Sequence, residues 1–496
     1  MQGVWDILQQ GEPDDAALVV PDGPRFSYRA LRDEVQRGAD VLCALGAGNG
    51  DVVASVFPNG AEAVLAFLSS AVAGCAAPLN PGYTEHEFSF YLNDVNPSIL
   101  LVPPGKASAA RSARPSGTRI VEAFLDPGGK LRLEPEGSPS TLRTASERAA
   151  DDVALTLHTS GTTGRPKRVP LKQRHLAASV ANIVETYGLG PTDVSICVMP
   201  LFHVHGLVAS TLATFGSGGT VVVPAPFNPL RFWTVAAKHG ATWFSAVPTM
   251  QHMLLARAKS QCPVPTLRFV RTCSAALSPD LMTRFEQRIG VPVLEAYGMT
   301  EACHQMASNP LPPGDRRPGS VGLATGVEVA VVDDEWNQLP TGQRGEVVVR
   351  GPNVIGAYAD APEANAVSFR EGWFRTGDEG VLDTDGYLTL IGRLKELINR
   401  GGEKIAPREI DEVLLGHPAV AEAVAFAVPH AALGQDVAAA VVLRAPVTEA
   451  ELLVHCRTRL AAFKVPRTIR IVDQLPRTAT GKLQRGKVAE SLGLGE

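Results

Sequence analysis

Two segments far apart in the chain carry residue types suited to phosphate chemistry. The first is Thr159-Ser160-Gly161-Thr162-Thr163-Gly164-Arg165-Pro166-Lys167. The second is Pro476-Arg477-Thr478-Ala479-Thr480-Gly481-Lys482. Glycine lets a backbone take positive φ and approach an anion closely. Successive N–H groups and hydroxyls can then wrap phosphate oxygens, and a lysine adds positive charge. The first segment has that make-up. The second ends a short C-terminal region with a lysine after Thr-Gly. Two lysines on separate parts of a chain suit a reaction that releases pyrophosphate. An isolated Gly/Ser/Thr loop reads equally well as a solvated turn. The Walker spacing is absent, because Gly161 and Gly164 are too close and Pro166 precedes the lysine, which excludes an ordinary P-loop ATPase.

The elements that must position these segments follow an α/β pattern, with short apolar runs alternating with helical ones. Val52 to Phe57 reads as a buried strand, Ala61 to Ala73 as a helix, and Ser98 to Val102 as the next strand. The stretch from Pro103 to Ala150, rich in Pro, Gly, Ser and Arg, reads as surface loop. Val153 to His158 is the strand that delivers the phosphate loop. Thr220 to Val223, Ala241 to Ala246 and Leu267 to Arg271 read as further strands. Val327 to Val332 and Gly345 to Arg350 suggest a β-subdomain. Beyond Gly392-Arg393-Leu394-Lys395-Glu396 the pattern becomes a compact α+β module. Its elements are a helix over Pro407 to Leu415, strands over Ala421 to Val428 and Ala438 to Leu443, a helix over Ala450 to Leu460, and a last strand over Thr468 to Val472. The expected division is a large multi-layer N-terminal domain over 1–394, built of α/β subdomains plus the β-subdomain, and a small mobile domain over 395–496 carrying Lys482.

A chain of 496 residues exceeds one hydrophobic core. The net charge of −5 offers no basic footprint for nucleic acid. No apolar run reaches the roughly 18 residues needed to span a bilayer. The first residues lack a charged region followed by an apolar core, so no secretory signal is expected. Seven cysteines without a C-x-x-C pair argue against a disulfide framework or zinc ribbon. A cytoplasmic enzyme with reduced thiols is the expectation, and a homodimer is allowed.

In company, these motifs resemble the acyl-adenylate-forming superfamily of acyl-CoA synthetases, luciferases and peptide-synthetase adenylation domains. The resemblance covers nearly the whole chain. It rests on the loop 159–167, Pro200 to Gly206, Ser274-Ala275-Ala276, Tyr297-Gly298-Met299-Thr300-Glu301, Arg375 to Asp378, Gly392-Arg393, Gly401-Gly402-Glu403-Lys404 and Thr480-Gly481-Lys482, in the family's order. It implies attack of a carboxylate on the α-phosphate of ATP, giving an acyl-AMP and pyrophosphate, then displacement of AMP by a thiol. Charge builds on phosphoryl oxygens and then on an oxyanion, so fixed cations and donors should dominate catalysis.

By that resemblance Thr159, Ser160, Gly161, Thr162, Thr163, Gly164 and Lys167 hold the β- and γ-phosphates. Thr300 contacts the α-phosphate, and Glu301 holds Mg²⁺, a hard cation that prefers carboxylate oxygen. Ser274, Ala275 and Ala276 line the adenine slot. Tyr297 lies against the base, with Gly298 beside it. Asp378 accepts the ribose hydroxyls, with Arg393 nearby. Lys482 bridges carboxylate and α-phosphate. Lys395 falls at the hinge position, and rotation about it would bring Gly401 and Gly402 to the pantetheine channel of coenzyme A. By themselves those two glycines read equally as a tight turn.

Among superfamily members the chain is most similar to oxalate–CoA ligase-like acyl-activating enzymes. The stretches 199–207, 246–250, 271–279, 308–312 and 395–407 carry that likeness. It implies that His205, Ser274 and His304 hold a small dicarboxylate, while His203 gates the thiol channel. A larger hydrophobic acid is equally admissible.

One position departs from the family pattern. Arg168 stands where a glycine usually follows the loop's Pro-Lys. A position needing positive φ or close phosphate approach would be distorted by it. Two readings follow: full two-step ligation, or an enzyme with impaired adenylation that mainly performs thioesterification of a pre-formed acyl-AMP. A carrier-protein-loading adenylation enzyme, a luciferase-type monooxygenase and a non-enzymatic acyl-nucleotide sensor share the fold. Retention of Glu301, Asp378 and Lys482 argues against the sensor.

Overall fold

The computed structural model describes residues 1–136, 148–159, 166–258, 264–477 and 483–494. Among these, the strands form four sheets. The first runs Leu131–Pro135, Arg119–Leu125, Ile99–Val102, Val52–Ser55, Cys75–Pro78, Val153–His158 and Arg168–Lys172. Its centre is parallel and its two edge pairs are antiparallel. The helix Ala61–Ala73 is buried nearly all round. An all-round apolar helix belongs inside a protein, and this one packs on the helix Tyr28–Ala44 and on the strands beside it.

The second sheet contains the adjacent strands Trp243–Ala246, Phe269–Thr272, Val293–Met299 and His304–Ser308. The first three are parallel to one another. The last pairs antiparallel, with Met299 opposite His304. The reversal between them, Thr300–Ala302, is one 3₁₀ turn. The third sheet is the expected β-subdomain, with Glu328–Val332 and Gly345–Arg350 paired antiparallel. It also presents Trp373–Leu382 beside Leu388–Arg393.

The smaller C-terminal domain builds its sheet on the long pair Val420–His430 and Gly434–Leu443. Its apolar clusters draw only on residues from Ile398 onward. The α/β class, with a large N-terminal part and a smaller C-terminal domain, is as the sequence implies.

The stretch 103–150 departs from the expectation of surface loop. It holds the helix Ser108–Ala113 and a hairpin of Arg119–Leu125 with Leu131–Pro135. Asp126 makes the turn, its carboxylate accepting the Gly128 and Lys130 N–H groups at 2.9 Å each. The hairpin extends the first sheet at its edge, where half the side chains face water. That exposure gives the segment a polar composition that resembles a loop.

Candidate active site

The first sheet presents the phosphate-type loop as the connection between its antiparallel edge strands. Thr159 N–H donates to the Lys167 carbonyl at 2.9 Å, and Lys167 N–H donates to Thr159 Oγ1 at 3.1 Å. The loop's two ends are thus clasped together. Ser160, Gly161, Thr162, Thr163 and Gly164 lie outside the described residues. Lys167 Nζ stands 4.5 Å from the Tyr358 ring centroid, and the Tyr358 hydroxyl donates to Glu301 Oε1 at 2.7 Å. Burial lowers the Lys167 pKa and raises that of Glu301, while each charge partly offsets the other's shift. This lysine and carboxylate, expected from separate motifs, therefore share one site. Thr300 opens the turn that carries Glu301.

On the nucleoside side, Tyr297, Asp378 and Arg393 come together. The Tyr297 hydroxyl donates to Asp378 Oδ2, and Arg393 Nε lies 2.7 Å from Asp378 Oδ1. Ala275 and Ala276 are exposed. Gly298 is required by packing: a Cβ there would sit 1.9 Å from the His304 carbonyl oxygen.

The acid side centres on a polar network that the sequence does not announce. Arg271 is fully buried. It donates to Tyr187 Oη at 2.8 Å, Ser245 Oγ at 3.0 Å, Gln305 Oε1 at 3.1 Å and His304 Nδ1 at 3.2 Å. Among the described residues no carboxylate pairs with it. His205 Nε2 is 2.6 Å from Ser245 Oγ, and its Nδ1 is 3.2 Å from Ser274 Oγ. The His205 and His304 rings lie 4.8 Å apart. Burial and the neighbouring guanidinium hold both imidazoles neutral, with pKa values well below the usual histidine range. Ser274, Cys303 and His304 have φ of 71°, 49° and 102°. Left-handed backbone at non-glycine residues is strain of the sort that gathers at ligand sites. The three expected acid-side residues thus meet, and Arg271, Ser245, Tyr187 and Gln305 join them. The available signal was a lone arginine in an apolar strand, Phe269–Thr272.

His203 lines a small cavity with Tyr83, Tyr91, His158 and Thr300. Its Nδ1 accepts the His205 N–H at 3.2 Å.

Arg168 is not a strained position. It is the first residue of the strand Arg168–Lys172, paired with His158, and its φ is not positive. Its guanidinium donates to the Asp94 carbonyl at 2.8 Å and pairs with Asp360. Position 168 therefore has no need of positive φ, since extended backbone accepts any side chain, and its guanidinium is held by Asp94 and Asp360.

In the C-terminal domain, Gly401 and Gly402 form the two-residue turn between Ile398–Arg400 and Glu403–Ile405. Their φ values are 61° and 96°, the positive pair that a primed hairpin turn requires. The tight-turn reading therefore describes their local geometry. Lys395 is exposed in the 3₁₀ turn Leu394–Glu396, near enough to Lys167 to lower that lysine's pKa. Lys482 lies outside the described residues.

The family model of the AMP-binding enzyme matches residues 7–359, and that of the AMP-binding enzyme C-terminal domain matches 409–482. The chain is 46% identical over 503 residues to an oxalate–CoA ligase of Arabidopsis thaliana, covering 99% of this chain and 98% of the relative. ATP-bound MatB from Rhodopseudomonas palustris superposes with a TM-score of 0.90 at 34% identity, covering 99% and 98% of the two chains. An o-succinylbenzoate coenzyme A synthetase from Bacillus subtilis, in complex with ATP and magnesium ion, gives 0.87 at 30% identity over 98% and 99%. The likeness in sequence and in shape spans both lobes, and the chain belongs to the AMP-binding enzyme family.

Proposed function

We infer that this chain is an AMP-forming acid–thiol ligase that converts a small dicarboxylic acid of the oxalate class to its CoA thioester through an acyl-adenylate. The likeness to CoA ligases supports the two-step activity and supports neither the thioesterification-only nor the carrier-loading alternative.

The observation that carries the dicarboxylate reading is the acid pocket. A buried guanidinium without a carboxylate partner sits behind Ser274, His205 and His304. A buried, unneutralised cation favours an anionic ligand, and an apolar acyl chain would leave the polar groups before it unpaired.

In the first step the acid's carboxylate attacks the α-phosphorus and pyrophosphate leaves. Lys167 and the loop 159–167 hold the β- and γ-phosphates, Thr300 the α-phosphate, and Asp378 with Arg393 the ribose. Lys482 supplies charge between carboxylate and α-phosphate. Glu301 suits Mg²⁺, since this cation binds through one or two carboxylates plus substrate phosphates. When bound, the ion would neutralise phosphate charge. In the second step CoA thiolate attacks the acyl carbon and AMP leaves. The domain over 395–496 turns about Lys395 to exchange Lys482 for Gly401 and Gly402, and His203 gates the thiol's path. The six cysteines among the described residues are buried and form no disulfide, which suits a reducing cytoplasm. Among the described residues no helix is long and apolar enough to cross a membrane.

A panel of oxalate, malonate, acetate and an aromatic acid, with ATP and CoA, tests the substrate class by pyrophosphate release and thioester formation. Oxalate should exceed acetate in kcat/KM by at least ~100-fold, because a site built around buried polar groups rejects analogues that leave them unpaired. Preference for the aromatic acid would sink the assignment.

A further inference from the structure

The acid pocket is a chain of hydrogen bonds in which one member has no freedom. A guanidinium carries five donors and no acceptor. Every atom that Arg271 touches must therefore accept. We propose that Arg271 is a positioning residue that sets the proton pattern of the pocket, so that the Ser274 hydroxyl and His304 Nε2–H both stand as donors to the substrate's distal carboxylate. This rests on the dicarboxylate reading above.

Two branches of hydrogen bonds lead out from Arg271. In the first, Ser245 Oγ accepts from Arg271 at 3.0 Å and lies 2.6 Å from His205 Nε2. Ser245 is fully buried, and among the described residues these are its side chain's hydrogen-bond partners. Its hydrogen has an acceptor only if it points at His205 Nε2. The opposite arrangement would bury an unsatisfied hydroxyl hydrogen, which native interiors avoid. His205 Nε2 is then an acceptor, and in a neutral ring the proton must sit on Nδ1. Nδ1–H donates to Ser274 Oγ at 3.2 Å. That leaves the Ser274 hydrogen free to be donated onward.

In the second branch, Arg271 donates to His304 Nδ1 at 3.2 Å. Nδ1 is an acceptor, so a neutral His304 carries its proton on Nε2. His304 is 1% exposed, and its Nε2 has no hydrogen-bond partner among the described residues. A buried donor without an acceptor calls for an explanation, and the oxygen of a bound acid would supply it here. The two presented donors stand around the same pair of rings, His205 and His304, 4.8 Å apart.

Both branches require neutral imidazoles. The titratable and charged groups acting on them are Arg271 from the Phe269–Thr272 strand, His203 from the segment before the His205–Leu212 helix, and each other; Cys273, Tyr187 and Gln305 stand around Arg271. None is a carboxylate, and Arg271 adds positive charge, so nothing there draws a second proton onto either ring. The outcome is a receptor of donors only, which favours a carboxylate at the distal position over a neutral group.

The direct test reads the unaltered protein. Histidine-selective ¹⁵N NMR of the ligand-free enzyme at pH 7.5 reads tautomers, with His205→Gln and His304→Gln used for assignment. We expect protonation at Nδ1 of His205 and at Nε2 of His304. The opposite tautomer in either ring, or an imidazolium, overturns the proposal. Kinetics with oxalate as the probe extend the test. Ser245→Ala breaks the first branch without leaving a charge unpaired, so it reads the idea even if Arg271→Met fails to fold. Both variants should raise KM for oxalate by about tenfold or more with a smaller change in kcat, and Arg271→Lys should recover part of the loss. A fall in kcat at unchanged KM overturns the proposal. Expected tautomers together with preference for a monocarboxylic acid would sink the dicarboxylate reading and the distal-carboxylate role, while leaving the proton pattern in place.

Discussion

At the scale of single residues, Arg168 shows how far a motif departure can mislead. In the sequence it abuts the phosphate loop, and its charge suggests interference with triphosphate. In the fold it opens an edge strand, and its guanidinium ties Asp94 to Asp360. Replacing it by glycine should therefore leave pyrophosphate release unimproved. The loss of a part-buried charged hydrogen bond should cost about 1–3 kcal/mol, visible as a lower melting temperature. Faster pyrophosphate release by Arg168→Gly would contradict this placement. Lys167, Glu301, Tyr297 and Asp378 were legible because a short motif carries each type and its neighbours. Arg271 was not, since its partners Tyr187, Ser245, His304 and Gln305 come from three other elements. Only sheet pairing brings them together.

At the scale of elements, legibility tracked burial. The helix Ala61–Ala73 and the strand Val153–His158 have the bounds expected from their apolar runs. The hairpin over 119–135 was missed because an edge pair keeps one face in water and its sequence looks like a loop. The helix Gln173–Tyr187 carries a consequence of its own in its first turn. His175 Nδ1 accepts the Lys172 N–H at 3.2 Å, and its Nε2 is buried without a partner among the described residues. Burial first, then Arg174 and Lys172, push its pKa down to about 4. The unfolded chain takes up this proton near pH 6.5. Between those values the unfolded state binds more protons than the folded one, so stability rises with pH. The contribution is present above pH 6.5 and is lost as pH falls toward 4. Between pH 7.5 and 5, His175→Gln should lose less melting temperature than wild type. Parallel thermal-unfolding curves for the two proteins would refute this.

At the scale of the whole molecule, two facts bear on motion. Among the described residues, the apolar clusters of the C-terminal domain contain none before Ile398, and those of the N-terminal part none after Leu390. Among the described residues no hydrophobic core therefore binds the two parts, and a polar contact crosses the join instead. Arg408 donates to the Leu390 carbonyl at 2.8 Å. Interfaces of this kind permit relative motion at little cost. The strap between the cores is the short turn Leu394–Glu396, with Lys395 exposed at its middle. A hinge needs only a few such residues to absorb a change of backbone angle. Proline at 395 fixes φ near −65° and restricts the residue before it. If the domain must turn between the two chemical steps, Lys395→Pro should separate them. Whichever arrangement the stiffened strap favours, one step should survive within about threefold and the other fall by tenfold or more, a difference of ~1.4 kcal/mol or greater in barrier. Pyrophosphate release from acid and ATP reads the first step, and thioester formation from synthetic acyl-AMP and CoA reads the second. Equal losses in both, at unchanged melting temperature, would mean that one closed arrangement serves the entire reaction and that the strap is only a connector.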